Sequence, residues 1–398
     1  MNSSLLFAIF ILAILVRFIY FPDNVNFAYD QARDSFAALE ILKGDLKIVG
    51  PPTTASDKIF HGALFYYILA PIYFTSGNNP EAVALVLRVI NAAGIFLVFY
   101  IATLIFRKEV GLISAFLFAI SYEQSQYALF FGHPSPAAIS ILIFYLGLAL
   151  LIFNGSPYGL VIVLAGLGLT IQFEDVNALL ILSFSTYLLI FYKKLKVLNY
   201  KIILLGLTVF ILTVSSFILV ELKYNFRTVA AIISTANSFD TKSSANFDYL
   251  LSVVKRLLND NFFANEMAVN LLIIVFIFTL IRFFGLRPQN DSSVAGLRER
   301  GIFLGIWFLG GLVPHFLATK FSYYYSPGAT VSFLILVSLL IYQLFLKNRL
   351  AATIFIVLIT LSNINLIQSQ NIKGVNSDFV IQPGMILGNQ KKAIDYVY

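Results

Sequence analysis

No cysteine occurs in the 398 residues, so disulfides and thiolate chemistry are excluded. Charge is scarce as well: Asp, Glu, Lys and Arg make up 12% of the chain, where a soluble globular protein carries about a quarter. Histidine appears three times. A metal would have to sit on carboxylates or on those histidines, and there is no HExxH-like spacing, so no metal cofactor is expected. No glycine-rich phosphate loop is found. There is no fixed-period repeat and no soluble stretch large enough to fold alone. The first apolar run, Leu5–Phe21, lacks a basic n-region, carries Arg17 and has no small-residue cleavage site. It reads as a retained anchor rather than a cleaved signal peptide.

Apolar sequence is what the chain has in abundance. Hydrophobic residues make up 59%, with 40 Phe and 21 Tyr against one Trp. Repeated apolar runs of spanning length define an all-α polytopic membrane protein. The net charge of +7 sits in short loops, as membrane topology requires, so no nucleic-acid partner is implied.

After Leu5–Phe21, spans read as Glu81–Phe106, Val110–Ala128, Ala137–Phe153, Tyr158–Phe173, Val176–Tyr192, Ile202–Glu221, Met267–Leu286, Gly301–Thr319, Ala329–Leu346 and Leu350–Ile367. Phe60–Ser76 is apolar but short, and contains Pro71. Charge parity decides its role. If it does not cross, there are about eleven spans. The basic loops (Arg107-Lys108, Lys193 to Lys201, Arg287 to Arg300, Lys347 to Arg349) then share one side, as the positive-inside rule demands. This reading puts the N-terminus in the cytoplasm and makes residues 22–80 a first outer loop.

That loop holds the densest polar stretch, Asn26-Phe27-Ala28-Tyr29-Asp30-Gln31-Ala32-Arg33-Asp34. Asp30, Arg33 and Asp34 stand at i, i+3 and i+4, so a helix starting here carries all three on one face. Phe36, Leu39 and Leu42 fall on another, and Gly44 supplies a stop. An amphipathic helix lying on the membrane is expected, with its carboxylates turned toward a cavity. The same outer face gathers His61, Glu123, His133, Gln172, Glu174, Asp175, Lys320 and the run Tyr323-Tyr324-Tyr325. Ionisable groups at the edge of a membrane bundle usually face one another or a wet cavity. Carboxylates beside cations and tyrosines suit acid–base work on a hydroxyl near a bound phosphate.

Plainer readings stand beside these. Asp30 suits an N-cap, with Arg33 as its ion-pair partner and Asp34 as helix support. His61 suits a snorkelling side chain, and His133, between Gly132 and Pro134, a turn residue. Glu174-Asp175 suits a hairpin marker and the tyrosine run an aromatic belt.

In order along the chain, Tyr29-Asp30-Gln31-Ala32-Arg33, Leu46 to Pro52, Phe60-His61-Gly62-Ala63-Leu64-Phe65-Tyr66-Tyr67, Asn79-Pro80, Arg88 and Phe106-Arg107-Lys108-Glu109 resemble the GT-C membrane glycosyltransferases. That group contains the protein O-mannosyltransferases and the aminoarabinose transferase of lipid A. The resemblance covers roughly Met1 to Asn177 through these motifs, and the remainder by helix pattern. It implies a GT-C-like bundle over 1–367 and inverting transfer of a sugar from a polyprenyl-phosphate carrier to a lipid, glycan or protein acceptor on the outer side of a cell membrane. No cofactor is implied beyond that lipid-linked donor. By resemblance Asp30 is the base, with Asp34 and Glu174 as further carboxylates. Arg33, His61, Lys320, Tyr324 and Gln172 would line the donor phosphate or substrate site.

Gln31 stands where the family has Glu, and Ala63 where relatives often have Pro. Many relatives continue into a soluble outer domain, so 368–398 reads as a short outer tail or the stub of one. Two other classes fit the same helices. One is a transporter or flippase for a lipid-linked or anionic solute, although no related halves are visible. The other is a non-catalytic assembly subunit.

Overall fold

In the computed structural model, residues 2–53, 58–238, 247–285, 292–316, 322–326, 328–375 and 383–397 are described. Among these residues eighteen α-helices run in order. The first nine are α1 (Asn2–Arg17), α2 (Tyr29–Leu42), α3 (Leu64–Ser76), α4 (Pro80–Ile105), α5 (Lys108–Ile120), α6 (Tyr122–Leu129), α7 (Pro134–Phe153), α8 (Gly159–Phe173) and α9 (Leu180–Ile190). The others are α10 (Tyr200–Thr213), α11 (Ser215–Lys223), α12 (Arg227–Ser238), α13 (Phe247–Asn259), α14 (Glu266–Gly285), α15 (Ser292–Leu312), α16 (Ala329–Lys347), α17 (Arg349–Gln370) and α18 (Leu387–Val397). Among the described residues the only β-pairing is two isolated bridges, Asn26 with Ile386 and Pro52 with Phe60.

The chain is a multi-pass membrane protein. Helices α4, α7, α16 and α17 are long and apolar enough to cross a bilayer, and α10 and α11, bent by 60° at their junction, pass the same test together, as a broken span or a re-entrant pair would. Helices α1, α3, α8 and the stretch Asp175–Ile190 are apolar but shorter. Among the described residues, length and composition alone thus mark four or five of the expected spans, with the shorter apolar helices beside them. Leu5, Leu15, Leu189, Leu204 and Leu350 are exposed, as side chains facing lipid must be.

One expected span is broken. Val110–Ala128 is two helices separated at Ser121, whose extended backbone ends α5 and whose Oγ accepts from Gln124 N at 3.1 Å to start α6. The break frees the last carbonyls of α5. Arg17, 1% exposed at the end of α1, donates to Ala119 O at 2.8 Å and Phe118 O at 3.2 Å. Its Nε donates to Asn91 Oδ1 at 2.6 Å. The arginine inside the first apolar run is thus a helix cap supplied from a neighbouring helix.

The main core joins α4, α5, α7 and α16. A second apolar layer at one end holds Val25, Phe65, Leu69, Leu87, Phe131 and Phe173, and it seats α2 and α3 on the bundle. The C-terminal segment docks on the same end. Phe27 N donates to Met385 O and Leu387 N to Val25 O, both at 2.8 Å.

Candidate active site

Helix α2 starts as its sequence suggests, with a different residue as the cap. Gln31 Oε1 accepts from Ala28 N at 2.9 Å, and its Nε2 donates to Phe131 O at 2.9 Å. Gln31 therefore secures the helix start and ties it to the turn before His133, which frees Asp30 from capping. The α2 face then splits. Asp30 stays at the rim with its side chain 68% exposed, while Asp34 is 2% exposed. Arg33 spans them, with Nη1 2.7 Å from Asp30 Oδ1 and Nη2 2.8 Å from Asp34 Oδ1. Of the two carboxylates expected to face a cavity, Asp34 turns into the protein and Asp30 to the surface. Phe36 and Leu42 remain exposed on the opposite side.

His61 is held by the backbone on either side. Its N–H donates to Pro51 O, and the next N–H, of Gly62, donates to Gln172 O, both at 2.9 Å. Gly62 is obligatory there because a Cβ would collide with Gln172 Oε1. His61 is 7% exposed, which rules out a snorkelling role. Its ring lies 4.1 Å from that of His133, at the start of α7. His61 Nδ1 is 3.0 Å from Asp175 Oδ1, and His133 Nδ1 is 3.4 Å from Glu174 Oε2.

Glu174 and Asp175 sit where α8 ends, with Glu174 extended and 4% exposed. The pair does mark a hairpin, and it also delivers two carboxylates to the histidines. Tyr66, buried on α3, faces Arg33 and Asp34.

Burial and charge compete throughout this cluster. Desolvation raises the Asp34 carboxyl above its ordinary value, although Arg33 and His133 pull it down. Burial alone would lower the His61 imidazole, but Glu174, Asp175 and Asp34 outweigh it and the net shift is upward. Burial likewise acts to lower Arg33, and Asp34 and Asp30 raise it. Tyr66 is raised, first by desolvation and then by Asp34.

Beside the cluster lies a cleft of about 400 Å³, lined by Ala63, Leu64, Leu169, Val209 and Leu212 with Gln172 as a polar wall. Gln172 Nε2 donates to Ser216 Oγ at 2.8 Å across it. The cleft is apolar, and its lining adjoins His61 and Glu174 in sequence.

Asp30, Arg33, Asp34, His61, Gln172 and Glu174 are thus placed at one end of the bundle, on three separate segments. Lys320 lies outside the described residues, as does the side chain of Tyr324. The neighbouring Tyr323 belongs to a second polar group, where its OH donates to Asp260 Oδ2 at 2.7 Å. There Glu123, fully buried, accepts from Asn261 Nδ2 at 2.6 Å and from Thr330. The sequence reading gathers His133 and Asp175 on the outer face without assigning them a role in the site, and leaves Tyr66 out. Only the turn around Gly132-His133-Pro134 and the adjacency of Asp175 to Glu174 hinted at them.

The model of the dolichyl-phosphate-mannose-protein mannosyltransferase family matches residues 61–219, from His61 into α11. Solved structures match across the chain. ArnT from Cupriavidus metallidurans, crystallised with undecaprenyl phosphate, aligns with TM-score 0.65 at 15% identity over 100% of this chain and 70% of its own. The oligosaccharyltransferase of Archaeoglobus fulgidus, tethered to an acceptor peptide, aligns with TM-score 0.62 at 13% identity over 94% of this chain and 55% of its own. The archaeal oligosaccharyltransferase AglB from the same organism, with an inhibitory peptide and a dolichol-phosphate, gives 0.58 at 12% identity, covering 93% of this chain and 56% of its own. No curated protein matches the sequence. The chain shares the fold of these structures, and the sequence resemblance to the GT-C group is borne out at the level of fold.

Proposed function

We propose that the chain is a membrane glycosyltransferase that takes a sugar from a polyprenyl-phosphate carrier and transfers it, with inversion, to a hydroxyl-bearing lipid, glycan or protein acceptor. The observation that carries this reading is the meeting of Asp30, Arg33 and Asp34 with His61 and Glu174 beside an apolar cleft. A lipid-linked phosphate needs that combination: hydrocarbon for the chain, a cation for the head group and a carboxylate for the acceptor. The relatives with undecaprenyl phosphate and dolichol-phosphate bound share the fold and support the same donor class. The positive-inside pattern supports placing this end of the bundle on the outer side of a cell membrane.

In this reading the acceptor oxygen attacks the anomeric carbon from the face opposite the phosphate. The C–O bond to phosphate breaks, the polyprenyl phosphate departs with the electron pair, and the acceptor proton passes to Asp30. Asp30 suits that role because its carboxylate is exposed beside Arg33, open to an incoming hydroxyl. Asp34 is buried with Oδ1 bound to Arg33, so it positions the guanidinium. Arg33 and His61 steady the phosphate, and Gln172 closes the cleft wall.

The test is transfer of labelled sugar in proteoliposomes. Asp30→Asn is expected to lose at least a hundredfold in rate with donor binding retained. Undiminished transfer removes Asp30 from the mechanism, and solute flux without covalent transfer replaces the enzyme with a transporter.

A further inference from the structure

We propose that His61, His133 and Glu174 form a binding site for one divalent transition-metal ion of the Zn²⁺ class. The three come from the first loop, the start of α7 and the end of α8, and each brings one ligand atom to within 4.8 Å of the others. Two imidazoles and a carboxylate suit Zn²⁺ and its neighbours, whereas Mg²⁺ and Ca²⁺ favour all-oxygen shells. With bonds of about 2.0–2.2 Å, the side chains close by roughly 1 Å to share an ion. Three protein ligands leave the fourth tetrahedral position to water or to a ligand oxygen.

The polar atoms of the cluster point the same way. His61 Nδ1, His133 Nδ1 and Glu174 Oε2 are buried, and none has a hydrogen-bond partner among the described residues. Asp175 approaches His61 Nδ1 at 3.0 Å without hydrogen-bond alignment. Unsatisfied buried nitrogens and oxygens are costly, and three on one spot are what a cation would resolve. The backbone is already fixed, since His61 N and Gly62 N are anchored to Pro51 O and Gln172 O.

Charge balance agrees. Asp30, Asp34, Glu174 and Asp175 set four carboxylates here against the one guanidinium of Arg33. A dication offsets that excess. On the transfer reading it would also make room for an anionic phosphate; the ligand geometry does not depend on that reading.

The test uses full-length protein with a histidine-free affinity tag, stripped with chelator, in detergent and without donor. Zinc titration by calorimetry, metal content after desalting and zinc-edge X-ray absorption are the readouts. The expected result is one tightly held zinc per chain, with scattering from two imidazoles and a raised melting temperature. Because the chain has only three histidines, His133→Asn is expected to reduce that scattering to one imidazole and weaken binding at least tenfold. His315→Asn is expected to leave both unchanged. Failure to retain stoichiometric zinc overturns the proposal. So does equal binding by wild type and a folded His61→Asn/His133→Asn double variant. If the double variant fails to fold, the imidazole count of His133→Asn decides alone. Sugar transfer enters none of these readouts, so this proposal and the enzyme reading fail independently.

Discussion

Gly62 donates its N–H to the carbonyl of Gln172 at 2.9 Å, and this one bond joins the first loop to the end of α8. It places His61 beside Glu174, two residues beyond Gln172. A side chain at position 62 would enter the space of Gln172 Oε1 and press on the Gln172 carbonyl. Gly62→Ala is therefore expected to cost about 1–3 kcal/mol and to depress transfer by displacing His61. Gly296→Ala, where a Cβ meets nothing within 4 Å on helix α15, is expected to be neutral or stabilising by about 0.5–1 kcal/mol. Melting curves of the two variants in one detergent check this, and equal melting temperatures would refute the clash.

On the sequence resemblance Gln31 takes the place of the family's Glu, which invites the idea that Gln31→Glu would restore a two-carboxylate site. The structure argues the opposite. Gln31 Nε2 donates to Phe131 O at 2.9 Å, and a carboxylate has no proton to donate there. Gln31→Glu is expected to destabilise by about 1–3 kcal/mol and to lower transfer. An increase in transfer would show that Gln31 is a degraded catalytic position.

Arg17 satisfies carbonyls that the α5–α6 break leaves open. Arg17→Met keeps the bulk and removes the donors, so Ala119 O, Phe118 O and Asn91 Oδ1 lose their partner. A loss of about 2–4 kcal/mol is expected. Arg17→Lys, with fewer donors and no fork, should recover only part of it. Unfolding in detergent tests this; an unchanged midpoint for Arg17→Met would mean water satisfies those carbonyls.

Asp260 follows α13, in the loop segment outside the spans. Desolvation raises its carboxyl to about 6, although the Tyr323 hydroxyl and then Arg256 act to lower it. A raised carboxyl binds its proton more tightly in the folded than in the unfolded chain. Its contribution to stability is complete below the unfolded value and is lost as pH rises through about 6. Asp260→Asn can still accept from Tyr323 and carries no charge. The variant is expected to gain on wild type by on the order of 2 kcal/mol between about pH 4 and pH 8, read as diverging melting temperatures. Parallel curves would show that Asp260 titrates as an ordinary surface acid.

Much of this was legible in one dimension. Apolar runs long enough for a bilayer mark α4, α7, α16 and α17, because helical hydrophobicity is a local property. The i, i+3, i+4 spacing of Asp30, Arg33 and Asp34 anticipates a shared face, and Gly44 with φ +95° ends the helix as expected. Composition excluded soluble folds and thiol chemistry. The order of motifs along the chain points to the GT-C architecture.

Only packing decided which member of that face is buried. Period 3.6 puts Asp30 and Asp34 on one face, but which of them meets α3 depends on how α2 docks, and docking rests on contacts with Phe131 and the apolar layer beneath. The break at Ser121 escaped detection because its compensation, Arg17, comes from a different helix. His133 and Asp175 stand in the outer-face polar set, but their contacts with Glu174 and His61 have no spacing to read, because they join three separate segments. Local chemistry is written along the chain, whereas proximity between distant residues is a consequence of filling space, and it exists only after the helices have packed.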